Sequence, residues 1–171
     1  MSRKATHIVI NTLRALALDQ IAKAKSGHPG MALGAAPIMY ALFRNHLNVN
    51  PKSPDYFNRD RFVLSAGHGS ALLYATLLCA GFKDININDL KKFRQLGSKT
   101  AGHPEADLLP GIEVTSGPLG QGIAMAVGMA IAEKKLATTY NEYSQLVNHY
   151  TYCLHGDGCL QEGVALEAIA L

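Results

Sequence analysis

The residues best suited to chemistry in this chain sit in turns. The run His155-Gly156-Asp157-Gly158-Cys159-Leu160-Gln161-Glu162-Gly163 follows an apolar, β-leaning stretch over 149–154 and leads into a helix-forming segment over 162–171. A strand that ends in a Gly-bounded Asp at a helix start suits a phosphate-bound metal. The carboxylate is a hard oxygen ligand, and glycine lets backbone N–H groups close on phosphate oxygens. One Asp does not complete such a site, so its other ligands lie elsewhere in the chain or beyond Leu171. Three of the seven histidines share a second setting, Gly27-His28-Pro29, Gly67-His68-Gly69 and Gly102-His103-Pro104. An imidazole at a loop beside a helix start or strand end can donate to phosphate or hydroxyl oxygens, and it titrates near neutrality.

Each motif also has a plainer reading. A histidine in a turn is commonly satisfied by backbone, and only the repetition of the setting argues for a shared site. His28, His68 and His103 could instead form a zinc site, as in a hydrolase, but their long spacings lack a short H-x-x-x-H or C-x-x-C anchor. Ser116-Gly117-Pro118-Leu119-Gly120-Gln121-Gly122 lacks the Gly-Lys-Ser/Thr end of a Walker loop and the spacing of a dinucleotide fingerprint. It offers close backbone approach at a helix N-terminus, or simply a helix start packed against a neighbour. Asp157 could be a turn residue beside a helix cap, and Glu162 and Glu167 a solvated face. His7, His46, His149 and His155 read as structural or surface residues.

The elements that must carry these turns follow from periodicity. Apolar positions near helical spacing predict an amphipathic helix over 4–25, stopped at Ser26-Gly27, and a buried helix over 31–47. Residues 48–61 form a polar connection. Phe62-Val63-Leu64-Ser65 is a short strand that turns at Ala66-Gly67-His68-Gly69 into a helix over 70–80. Asn88 and Asp89 are plausible caps for a short helix reaching Gln95. Residues 96–115 are mostly loop, and a helix opening at Gly122 runs to about Leu136. Strand, glycine turn and helix recur around Leu64 and Leu154, which predicts an α/β layer with a mostly parallel sheet flanked by helices. Ligands of such sheets bind at the carboxyl ends of the strands.

Composition narrows the function classes. The chain has 171 residues, 48% hydrophobic and 17% charged, enough for one domain that buries a sizeable core. A net charge of +3 with no long basic run argues against nucleic acid. The apolar stretch over 123–132 is too short for a membrane span. The start of the chain carries Arg14 and Asp19 where a signal peptide would be apolar. Cys79, Cys153 and Cys159 form no C-x-x-C pair and fit reduced, cytoplasmic thiols, with Cys159 read as a small buried hydrophobe.

In combination and in this order, the Ser26–Gly30, Gly67-His68, Gly102–Glu105, Thr115–Gly122 and Gly156–Gly163 motifs resemble the first part of the diphosphate-binding domain of transketolase, over essentially the whole chain. The pattern is also similar to the close relative dihydroxyacetone synthase. The resemblance implies thiamine diphosphate and Mg2+ as cofactors. It implies that Asp157 is a magnesium ligand and that His68 and Gly158 reach the diphosphate. Gly117, Pro118 and Leu119 would line the cofactor rings. His28 and His103 would bind the ketose donor, with His103 in the catalytic role at the oxygen that gains charge. The activity implied is two-carbon ketol transfer between sugar phosphates. Glu162 and Glu167 would lie near an interface in a homo-oligomer, or in a pairing with another transketolase-like chain. In the family an Asn and a backbone carbonyl roughly thirty residues after the Asp complete the magnesium site. The expected state is therefore an incomplete fold, a fragment inactive alone. A non-catalytic interaction module is the rival expectation.

Overall fold

The computed structural model describes residues 2–171. Helix α1 (Arg3–Ala24) starts at Ser2, whose hydroxyl accepts from the Ala5 N–H at 3.3 Å, and ends at Lys25 in the left-handed region. Helix α2 (Pro29–Asn45) uses Pro29 in its first turn, where the missing N–H costs nothing. It stops two residues before the expected end, and Leu47 turns inward to join the core.

Strand β1 (Arg61–Leu64) leads through a 3-10 turn (Gly67–Gly69) into α3 (Ser70–Ala80). Every residue of α3 from Ser70 to Leu77 is buried, because its sequence is apolar on all sides and α1 and α2 pack against it. The short helix α4 (Ile87–Leu90) corrects the sequence expectation. Asn86 caps it, in a capping box with Asp89, and it ends at Leu90 rather than Gln95. Thr100 cuts it short. Its carbonyl takes the Arg94 N–H at 2.9 Å, and its hydroxyl donates to the Asp89 carbonyl at 2.8 Å, groups that further helix would have used.

Helix α5 (Gln121–Tyr140) runs about a turn beyond the expected end. Strand β2 (Thr151–Leu154) follows, then a 3-10 turn (Asp157–Gln161) and α6 (Gly163–Ile169). The strands pair in parallel, Arg61 opposite Thr151 and Leu64 opposite Leu154. Side chains alternate across this sheet. Phe62, Leu64, Tyr152 and Leu154 face the core made with α1–α3, whereas Cys153 faces a smaller cluster of Ala66, Ile123, Cys159 and Ala165 beneath α5 and α6. The architecture is thus α/β, a small parallel sheet between helices, as the sequence predicts. No helix among the described residues is long and apolar enough to cross a membrane.

Candidate functional site

The in-register parallel pairing brings both strand ends to one place. Ser65 N–H donates to the Leu154 carbonyl at 2.9 Å, so the turn carrying His68 and the turn carrying Asp157 emerge side by side. The glycine-rich loop before α5 lies against both. Ser116 Oγ donates to the Leu64 carbonyl at 2.6 Å, and Ile123 N–H donates to Ser65 Oγ at 3.1 Å. Ser65 Oγ in turn lies 3.5 Å from the buried Cys159 Sγ. A Cβ added to Gly67 would sit 2.9 Å from the Gly117 nitrogen, and one added to Gly158 would sit 3.0 Å from a methyl of Leu119. The two backbones touch because Gly67 has no side chain to hold them apart.

The three histidines, 40 and 35 residues apart in sequence, converge here. The His28 and His68 rings lie 5.1 Å apart between centroids, tilted at 56°. The His103 ring rests against Gly117, where an added Cβ would meet it at 3.4 Å. His68 is half-buried, while His28 and His103 are exposed at the rim. Partial burial pushes the His68 imidazole below its ordinary value, with smaller contributions from the nearby His28 and His103 rings, since a second proton so close to another imidazole would be repelled. His103 is lowered too, first by desolvation, then by Arg94 and His28. Both are therefore neutral at pH 7, available to donate from one ring nitrogen and accept at the other.

Asp157 is exposed at the start of its 3-10 turn. No group of three or more His, Cys, Asp or Glu among the described residues is arranged to hold a metal ion, so the geometry lends nothing to the zinc reading. Glu162 stands at the N-cap position of α6 without a side-chain cap bond and is exposed, as is Glu167. His149 is structural, its ring nitrogen 3.2 Å from Asn58 Oδ1.

Sequence reasoning missed the supports. Tyr74 on α3 donates to the Ala101 carbonyl at 2.8 Å, and Ser70 donates to the Gly102 carbonyl at 2.7 Å, fixing the loop that carries His103. Arg94 and Asp60 were also missed. A cleft of about 790 Å³ opens beside His103, lined by Ser26, Arg94, Lys99, Gly102 and Glu105 among others.

A family model described as transketolase, thiamine diphosphate binding domain, matches residues 5–171. The chain belongs to the transketolase family, in its thiamine diphosphate-binding domain. It is 59% identical over 172 aligned positions to a transketolase of Geobacillus stearothermophilus, covering 100% of this chain and 26% of that one. Among solved structures, a transketolase from Leishmania mexicana superposes with a TM-score of 0.94 at 52% identity, covering 99% of this chain and 25% of the other. A Pichia stipitis transketolase, in complex with sedoheptulose-7-phosphate, superposes with a TM-score of 0.91 at 53% identity over 95% of this chain and 24% of its own. The chain spans about a quarter of the length of these transketolases.

Three histidines in the described fold have lowered pKa values, His68, His103 and His149, each chiefly through desolvation. An unfolded chain binds protons at these positions from about pH 6.5 downward, before the folded chain does. Their contribution to stability is complete above that pH and is lost as pH falls through the folded values. The melting temperature should therefore fall between pH 7.5 and 5.5, and His68→Gln should make the fall shallower. Equal slopes for the two chains would contradict the assignment for His68.

Proposed function

We propose that this chain forms the diphosphate end of a transketolase active site. With the further segments present in its longer relatives, it would transfer a two-carbon ketol unit from a ketose phosphate to an aldose phosphate. The observation that carries this reading is the meeting of the His68, Gly117–Leu119 and Asp157-Gly158 turns at the carboxyl ends of paired parallel strands. The relative solved with sedoheptulose-7-phosphate, a ketose phosphate, supports the substrate class.

The residues fit the cofactor. A Cβ on Gly67 would collide with the Gly117 backbone, so glycine there lets the His68 turn pack directly against the Gly117–Leu119 loop. In this reading Gly117, Pro118 and Leu119 line the rings of thiamine diphosphate, and Gly158 and His68 donate to its diphosphate. Asp157 supplies one hard oxygen to Mg2+, with the rest of the ligand set coming from outside these residues. Thiamine diphosphate, when bound, supplies the nucleophile and the electron sink. His28 and His103 orient the ketose by its hydroxyls, and neutral His103 donates to the oxygen that gains charge. The exposed Glu162 and Glu167 face a second chain, in a homo-oligomer or a pairing with another transketolase-like chain. A cytoplasmic setting accords with the three free cysteines.

Calorimetric titration with thiamine diphosphate, with and without Mg2+, tests the reading. Weak binding that strengthens with Mg2+ is expected, and Asp157→Ala should remove the Mg2+ effect while leaving the fold intact. No turnover is expected from the chain alone. Efficient ketol transfer by the pure chain, or binding indifferent to both Mg2+ and Asp157, would overturn it.

A further inference from the structure

We propose that Arg94 is a positioning residue that ties the His28 turn and the His103 turn into one wall of the site. Three contacts carry this. Arg94 Nη1 donates to Ser26 Oγ at 2.8 Å, two residues before His28. Its backbone N–H donates to the Thr100 carbonyl at 2.9 Å, which returns the loop towards Gly102 and His103. Its side chain packs against Gly102, where an added Cβ would come within 3.2 Å of Nε and 3.4 Å of Cζ.

The side chain has little freedom to do otherwise. Arg94 holds a left-handed backbone with φ of 61°, uncommon for a residue with a Cβ. Its Cζ lies 5.6 Å from the centroid of the buried Phe93 ring. Phe93 packs edge-on against Tyr74, whose hydroxyl lies 2.8 Å from the Ala101 carbonyl and 3.4 Å from that of His103. Nε and Nη2 are buried with no hydrogen-bond partner among the described residues. A buried charge left part-paired is costly, a cost that a service to the rest of the site would offset. Here the service is to hold two histidines in register and to set a fixed positive charge beside one of them.

The titratable and charged groups around His103 are Arg94, His28, His68 and, two residues along the loop, Glu105. Removing the Arg94 charge leaves the others in place. The inference rests on the proposed role of His28 and His103, but its test needs no cofactor, so a failure to bind thiamine diphosphate would not touch it.

The test is an NMR titration of the histidine rings in the native chain and in Arg94→Gln, Arg94→Lys and Ser26→Ala. Arg94→Gln should raise the His103 titration midpoint and shift the His28 ring resonances. Arg94→Lys should keep the His103 midpoint near the native one, because the charge stays. Ser26→Ala should shift the His28 resonances and leave the His103 midpoint unchanged, since it cuts the tie and keeps the charge. If Arg94→Gln lowers only the melting temperature and moves neither ring, the residue is merely structural and the proposal fails. If Arg94→Gln does not fold, the outcome passes to the other two variants. Unmoved His28 resonances in Ser26→Ala, or a His103 midpoint in Arg94→Lys that departs from the native one, would equally overturn it.

Discussion

Asp60→Ala is expected to be the most destabilising single substitution considered for this chain, at about 4 kcal/mol, since two hydrogen bonds to a carboxylate are lost at once. Asp60 is only 3% exposed, between Arg59 and Arg61. Its Oδ2 accepts the Asn48 N–H at 2.7 Å and its Oδ1 accepts the Tyr150 N–H at 2.7 Å. One carboxylate therefore joins the end of the α2 connection, the start of β1 and the approach to β2, segments far apart in sequence. Alanine leaves both backbone donors without their acceptor and two arginines without their neighbouring charge. For a domain of this size the melting temperature should fall by roughly 8–16 °C. Asp60→Asn keeps one oxygen but turns an amide N–H2 towards a backbone donor, so it should lose about half as much. The bidentate Arg59–Glu113 pair, at 2.9 Å for both bonds, stays intact in both variants. Thermal and urea unfolding followed by circular dichroism measures this. A loss below about 1 kcal/mol would mean that water replaces the carboxylate, and the clamp would be unimportant.

Gly122→Ala should be the next most damaging change, and its sign separates packing from propensity. By helix propensity alone, alanine in the first turns of α5 would stabilise the chain by up to about 1 kcal/mol. The Cβ, however, would lie 2.5 Å from Ser65 Cα and 2.7 Å from Ser65 Cβ. Ser65 follows β1 directly and cannot retreat without disturbing the strand, so a net loss of about 3 kcal/mol is expected. Ser65 also holds the Ile123 N–H and contacts Cys159, so the displacement should reach the Asp157 turn and weaken the proposed Mg2+-dependent cofactor binding as well. Gly128→Ala, in the same helix with nothing within 4 Å of the added Cβ, is the control and should stabilise slightly. If the two substitutions shift the melting temperature alike, the close approach of α5 to Ser65 is wrong.

Much of the site was legible because its chemistry is local. Glycine beside His68, His103 or Asp157 marks places where backbone must come close, and proline at 29 sets a helix start in its own neighbourhood. The strands at 62–65 and 149–154 were likewise visible as short apolar runs, although the β2 ladder begins only at Thr151. The α4 boundary was misjudged for a non-local reason. Nothing near Leu90 announces that Thr100 will capture the groups a longer helix would need.

What the sequence determined by itself was therefore the set of turns, their residue types and their order, which together identify the transketolase family. Periodicity and turn chemistry act over a few residues, and that information is complete in the linear chain. Only the tertiary structure decided that His28, His68 and His103 share one rim, that the Gly117 loop fills the gap between two strand ends, and that Asp60 and Arg94 hold the segments in place. The Asp60 clamp and the placing of the Gly117 loop depend on the in-register parallel pairing of β1 with β2, whose partners lie ninety residues apart, whereas Arg94 joins loops remote from the sheet. The Asp60 carboxylate and the Arg94 guanidinium find backbone and hydroxyl partners that no local spacing records, because those partners come near only once distant segments have packed.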